Sequence, residues 1–152
     1  MSKYNVYLVA ASDVQDSEQT ACEAKDLYKS PMFCACKTFV EVQESPWLIL
    51  SDMHGVLWPD AMIAPYNPAQ LSDDERMVRV ERALNHDVIA NTLISILGIS
   101  PPAGTTAADW RKSLMKDTTF TLLGESDSLG MAMTELTLAG AKVNFQHKGI
   151  PA

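Results

Sequence analysis

The chain has 152 residues, 47% hydrophobic and 20% charged, the make-up of one folded domain rather than of a disordered segment. A formal net charge of −7 and scattered basic residues argue against direct nucleic-acid binding, which needs clustered Lys and Arg. No apolar run reaches the roughly 18 residues that span a bilayer, and MSKYNVYLVAAS is too short and β-branched for a signal peptide, so a cytoplasmic protein is expected.

Asn5 to Ala11, NVYLVAA, predicts a buried strand followed by the polar SDVQDSE. From Ser17, apolar Ala21, Ala24, Leu27 and Tyr28 recur at helical spacing, and this helix is expected to end near Ser30 because Pro31 disfavours helical geometry before it. Pro31 then suits the first turn of a second helix, PMFCACKTFVEVQ. Cys22, Cys34 and Cys36 fit a reducing compartment and lack the paired spacing of a zinc site, so they read as small buried or half-exposed thiols. Cys34 and Cys36, two apart on a helix, face different ways.

Pro46 to Ser51 predicts the second strand, a continuous apolar run bounded by turn signals. Residues 52–68 predict an ordered loop at its carboxyl end, stiffened by Pro59, Pro65 and Pro68, with Gly55 at positive φ. Ser72 with Glu75 forms a capping-box pattern. The apolar stripe Met77, Val80, Ala83, Leu84 continues through Val88, Ile89, Leu93, Ile96 and Leu97 to Gly98, and Asn85-His86-Asp87 leaves one helix or two open. Arg76, Arg79 and Arg82 fall on one side among acidic residues and read as a solvated, salt-paired face.

Ser100 to Gly104 is a loop. Thr106 to Lys116 predicts a helix with Trp110 and Leu114 inward, Thr119 to Leu123 a third strand, Ser126 to Ala139 a helix stopped by Gly140, and Lys142 to Gln146 a fourth strand. The alternation implies a single α/β domain over residues 1–152. The expected architecture has three layers: a mainly parallel sheet of about four strands with helices on both faces.

In such sheets ligands bind beyond the carboxyl ends of the strands. Ser12 and Asp13 follow strand one, Ser51, Asp52 and His54 follow strand two, and 124–127 follow strand three. A histidine, two carboxylates and two hydroxyls in one crevice leave three chemistries open. His54 is a potential general base, Asp13, Asp52 and His54 are potential ligands of a divalent metal, and the serines suit a hydroxylated or phosphorylated ligand. No phosphate-loop, dinucleotide or nucleophile-elbow motif is present, and no cofactor or resident metal is assigned. Structural roles compete: Asp52 as a loop cap, Gly55 as a left-handed turn residue, His54 as a packed ring. Trp58 and Tyr66 suit a lid or wall, able to stack on a base or to pack on the sheet.

LVAAS at 8–12, LYKSPMF at 27–33 and LSDMHGVLWPDAMIAPYN at 50–67 resemble short bacterial, archaeal and phage proteins with an LSAxxGLLxPdxxIxPYd motif, and more distantly the YaaA peroxide-stress proteins. TFTLLG and GAKVNFQHKGI resemble their final strands. The resemblance implies a three-layer α/β fold and a nucleotide- or nucleobase-related function. It retains Ser12, Ser51, Gly55, Pro65 and Tyr66. Ala11 replaces the usual cysteine, Asp13 and Met53 stand where lysine is common, and Asp52 stands where a small residue is common. These changes shift the strand-end site from basic to acidic. The ligand residues to examine are therefore Ser12, Asp13, Ser51, Asp52, His54, Gly55 and Tyr66. The expected ligand is a small nucleobase-containing molecule, and an Asp13–Asp52–His54 pocket would suit a cation or a ligand amine. The alternative is a non-catalytic phage or mobile-element factor that binds a host protein. Oligomeric state is not legible.

Overall fold

The structure is a computed structural model that describes residues 3–12, 14–16, 20–124 and 128–145. Its main sheet has five strands: β1 (Tyr4–Ala10), β3 (Trp47–Ser51), β4 (Gly55–Leu57), β6 (Thr118–Leu123) and β7 (Lys142–Phe145), in the order β4-β3-β1-β6-β7. β1 runs parallel to both β3 and β6, and β7 parallel to β6, whereas β4 folds back antiparallel on β3. The fold is thus α/β with a mostly parallel, mixed sheet, one strand larger than expected. The added strand, β4, lies within the stretch read as loop.

A second sheet of two short strands pairs β2 (Cys22–Glu23) with β5 (Met62–Ile63). β2 lies within the helix expected from Ser17, of which residues 17–19 lie outside the described set. Only α1 (Ala24–Leu27) is helical. The apolar spacing was real, since Ala24, Leu27 and Tyr28 are all buried. The backbone, however, bonds elsewhere: Ala24 N–H donates to the Ala61 carbonyl at 2.8 Å and Lys25 N–H to Pro59 at 2.9 Å. Asp16 N–H donates to Leu27 and Lys29 N–H to Val14, each at 2.8 Å. Amides committed to neighbouring segments cannot also build a helix.

The remaining helices follow their sequence signals. α2 (Pro31–Val42) has Pro31 in its first turn and Ser30 as cap, its hydroxyl accepting from Phe33 N–H at 3.1 Å. α3 (Asp73–Ala83) is capped by Ser72, which accepts from Glu75 N–H at 3.2 Å. Asn85 caps α4 (His86–Leu97), so the long stripe is two helices, and Gly98 ends it with φ +62°. α5 (Ala107–Lys116) is capped by Thr106, and α6 is Ser128–Leu138.

Side chains alternate along a strand, and two hydrophobic clusters record that alternation. Leu8, Leu48, Leu50, Phe120 and Leu122 cluster with Val80, Leu84, Ile89, Leu93, Met115, Leu129 and Leu136 of α3 to α6. Val9, Ile49 and Leu123, one residue out of step, cluster with Leu27, Phe33, Cys36 and Val40 of α1 and α2. Each large apolar side chain taken fully from water contributes about 1.5–3 kcal/mol. These few anchors therefore outweigh intrinsic propensity in holding each helix.

The β3–β4 hairpin turns through residues 52–54 and closes where Ser51 pairs with Gly55. Gly55 has φ +79°, and a Cβ there would lie 2.8 Å from the Cβ of Ala83 on α3. Both the turn and its seat against α3 therefore require glycine. Gly55→Val should lower unfolding stability by about 2–4 kcal/mol, combining left-handed strain with overpacking. Gly104, at φ +85° but with nothing within 4 Å, supplies the control. Gly104→Ala should cost about 1–2 kcal/mol from strain alone. Equal losses in urea unfolding would show that contact with Ala83 does not limit residue 55.

Candidate functional site

β3 is buried from Leu48 onward because it is covered by both clusters, and its last residue, Ser51, is 0% exposed. A hydroxyl there must find partners. Its Oγ accepts from the backbone N–H of Met53 at 3.2 Å and of His54 at 3.1 Å. The Tyr28 hydroxyl donates to it at 3.4 Å, and the Tyr66 hydroxyl also lies 3.4 Å away. The two phenols are 2.9 Å apart, and Tyr66 N–H donates to Gln15 Oε1 at 3.0 Å. Ser51 is thus the fastening of the turn, with no free path to solvent, which argues against a nucleophilic role.

The turn sends Asp52 and His54 to different places. Asp52 Oδ2 faces Arg76 Nη1 at 3.3 Å, and Oδ1 accepts a short hydrogen bond from the Ser128 hydroxyl at the start of α6. Arg76 also donates from Nη2 to the carbonyl of Pro68, and its buried Nε has no partner among the described residues. Asp52, Arg76 and Ser128 line a cleft of about 510 Å³ with Asp73, Met77, Val80 and Met131. A narrower recess next to it is lined by Ala11, Ser12, Leu50, Asp52, Tyr66, Pro68, Leu71 and Arg76. Ser12 Oγ itself donates to the Val14 carbonyl at 2.9 Å.

These clefts lie where the chain order reverses across the sheet, between strands that lead in opposite directions from β1. β1 and β6 approach closely there: a Cβ on Gly124 would meet that of Ala10 at 3.2 Å.

His54 stands on the other side. Its ring meets that of Tyr66 edge-on, with centroids 5.2 Å apart, and it lines a separate cleft with Arg79 and Arg82. Partial desolvation, first, and the Arg79 charge, second, hold its pKa below the ordinary histidine value. Arg79 Nη1 donates to the Met53 carbonyl at 2.9 Å.

Of the residues singled out in the sequence, Ser12, Asp52 and Tyr66 share one recess. Ser51 lies beneath it as a tie, Gly55 seats the turn on α3, and His54 faces away from Asp52. Asp13 lies outside the described residues, so the proposed acidic trio is represented only by Asp52, which carries an arginine. Among the described residues no three His, Cys, Asp or Glu converge to hold a metal ion. Among the same residues no helix is long and apolar enough to cross a membrane.

The reading of these arginines as a solvated, salt-paired helix face is corrected for Arg76, which is half-buried and pairs with Asp52 of the turn, while Arg79 stays exposed yet donates to the Met53 carbonyl. Both reach back to the 52–53 turn because Gly55 lets α3 pack against it. Their charges among Asp73, Asp74 and Glu75 disguised that role. Arg76, Tyr28 and Ser128 are the site residues that sequence reasoning missed. Ser128 had a usable signal, its position at the head of the helix after the third parallel strand.

Burial, first, and Tyr66, second, push the Tyr28 phenol well above the tyrosine range. In the unfolded chain the phenol deprotonates near pH about 10. The folded protein keeps the proton, so this contribution to stability is complete below that pH and is lost as pH rises above it. Tyr28→Phe should flatten the alkaline fall of the urea midpoint, and an unaltered slope would place that fall elsewhere. Ser51→Ala leaves two amides unmatched and should cost about 1–3 kcal/mol. By NMR, His54 should titrate below the histidine norm, and Arg79→Gln should move it part of the way back. A titration unmoved by that substitution would remove Arg79 as a cause.

The family of unknown function DUF6884 matches residues 6–99. That span holds most of β1, the Ser51 turn, Tyr66 and the arginines of α3, and it stops short of β6 and Ser128. Searches of the curated proteins and of the solved structures give no match. Since the family match covers more than half of the residues, including the turn on which the clefts are built, the chain belongs to the DUF6884 family.

Proposed function

We propose that this protein binds a small nucleobase-containing ligand in the cleft between α3 and α6. One observation carries the reading: Asp52 is held at the carboxyl end of β3 by Arg76 and Ser128, against a wall of Met77, Val80 and Met131. A carboxylate has about four acceptor positions, and two are taken, so it can accept a ring N–H or an exocyclic amine. The flexible methionines suit the flat apolar face of a base. A volume of about 510 Å³ lies in the usual range of small-ligand sites.

The wider reading includes two further elements. A three-layer arrangement is supported by the two hydrophobic clusters, each drawing on alternate residues of the same strands. Kinship with YaaA-like proteins is supported by the residues 50–67 motif, whose glycine and tyrosine serve the turn. A cytoplasmic protein of phage or mobile-element origin accords with the resemblance and with three free thiols.

The second reading, a non-catalytic factor that binds another protein, draws on one feature. The outer side of α2 is apolar around Phe39 and Val42, with Val42 72% exposed beside an open groove. A thermal-shift and calorimetric series with nucleosides and free bases separates the two. The expected result is a saturable rise in Tm that Asp52→Asn weakens about tenfold or more, as for loss of a charged hydrogen bond. No rise with any base or nucleoside would favour the protein-binding reading instead.

A further inference from the structure

The clearest chemistry outside that cleft lies across the turn. A groove of about 420 Å³ runs between residues 53–56, α3 and the first turns of α4. His54, Arg79 and Arg82 line it with Val88 and Thr92, and none of its lining residues is acidic. In a chain of formal net charge −7 this is a local reversal of sign.

The three arginines of α3 divide their tasks. Arg76 is neutralised by Asp52. Arg79 uses one donor on the Met53 carbonyl, which fixes its guanidinium at the groove and leaves other N–H groups available. Arg82 lies one turn further along the same side. Its side chain makes no hydrogen bond or ion pair among the described residues. His54 is exposed at the same groove, its ring set by Tyr66.

Two guanidinium groups and an imidazole around one concavity match a tetrahedral oxyanion, which offers several acceptors at fixed angles. The space exceeds what a bare ion needs and reaches the lower range of small-ligand sites. Val88, 48% exposed, and Thr92 provide an apolar contact and a hydroxyl for an organic remainder. We propose that the groove of His54, Arg79 and Arg82 binds the phosphate group of a small phosphate monoester, with Val88 and Thr92 against its organic part. This site does not depend on the nucleobase reading, because phosphate without a base probes it alone.

The test is an NMR amide titration at constant ionic strength with inorganic phosphate, glycerol phosphate, glycerol and acetate. Phosphate and glycerol phosphate should produce saturable shifts at Gly55, Arg79, Arg82 and Thr92, with glycerol phosphate the tighter. Arg82→Gln removes no hydrogen bond of the folded chain and should weaken both about tenfold, as loss of a charge-assisted contact does. Lys112→Gln, at an exposed position of α5, makes the same change in net charge and should leave affinity unaltered. The proposal is overturned by absent or unsaturable shifts, by equal loss in the two variants, or by acetate binding as well as phosphate. Tighter binding of a mixed oligonucleotide than of glycerol phosphate, lost in Arg82→Gln, would overturn it in favour of a nucleic-acid surface.

Discussion

The hydroxyl of Ser51 is the constraint on which the functional end of the molecule rests. It closes the buried run of β3, and an unsatisfied hydroxyl there would cost about 1–3 kcal/mol on the scale of protein mutations. Two amides of the following turn and two phenols meet that demand. Tyr28 carries the tie into the packing of α2, since its ring lies 5.3 Å from that of Phe33. Tyr66 carries it into the proline-rich segment. With the turn held on one side by these bonds and on the other by α3, Asp52 and His54 have no choice of direction.

That division explains how a strongly acidic chain can hold two polar clefts of different character within a few residues. Arg76, Arg79 and Arg82 recur at helical spacing, yet each meets a different neighbour. The first meets a carboxylate, the second a backbone carbonyl, and the third solvent at the rim of a groove. Charge counted along the sequence averages these away. Charge arranged by the turn gives one neutralised cleft and one basic cleft.

The central parallel strands β1 and β3 were legible because burial by two clusters writes them as near-unbroken apolar runs, as in VYLVA and WLIL. The cap Ser72 was legible because a hydroxyl three residues ahead of Glu75, before an apolar period, leaves few alternatives. β4 was not, because GVL is too short to show a period and sits among turn residues. The helix expected over residues 17–30 failed for another reason: side-chain spacing records which faces are buried, but not which carbonyls the amides will find. The same limit applies to the site. Ser12, Ser51, Asp52 and Tyr66 could be placed at a strand end by rule, whereas the pairing of Asp52 with Arg76 and Ser128 depends on where α3 and α6 pack.

The position of β1 in the middle of the sheet has a consequence for how the molecule comes into being. Val6 pairs with Phe120, far along the chain, and Val9 with Leu123. One edge of β1 therefore stays unpaired until β6 has emerged, while β3 and β4 can already assemble on the other. Parallel pairings so distant in sequence pay their loop-closure entropy before any contact rewards them, which makes their formation slow. The cleft that needs Ser128 is completed only at that last step, so this site is assembled after the hairpin that supplies its carboxylate.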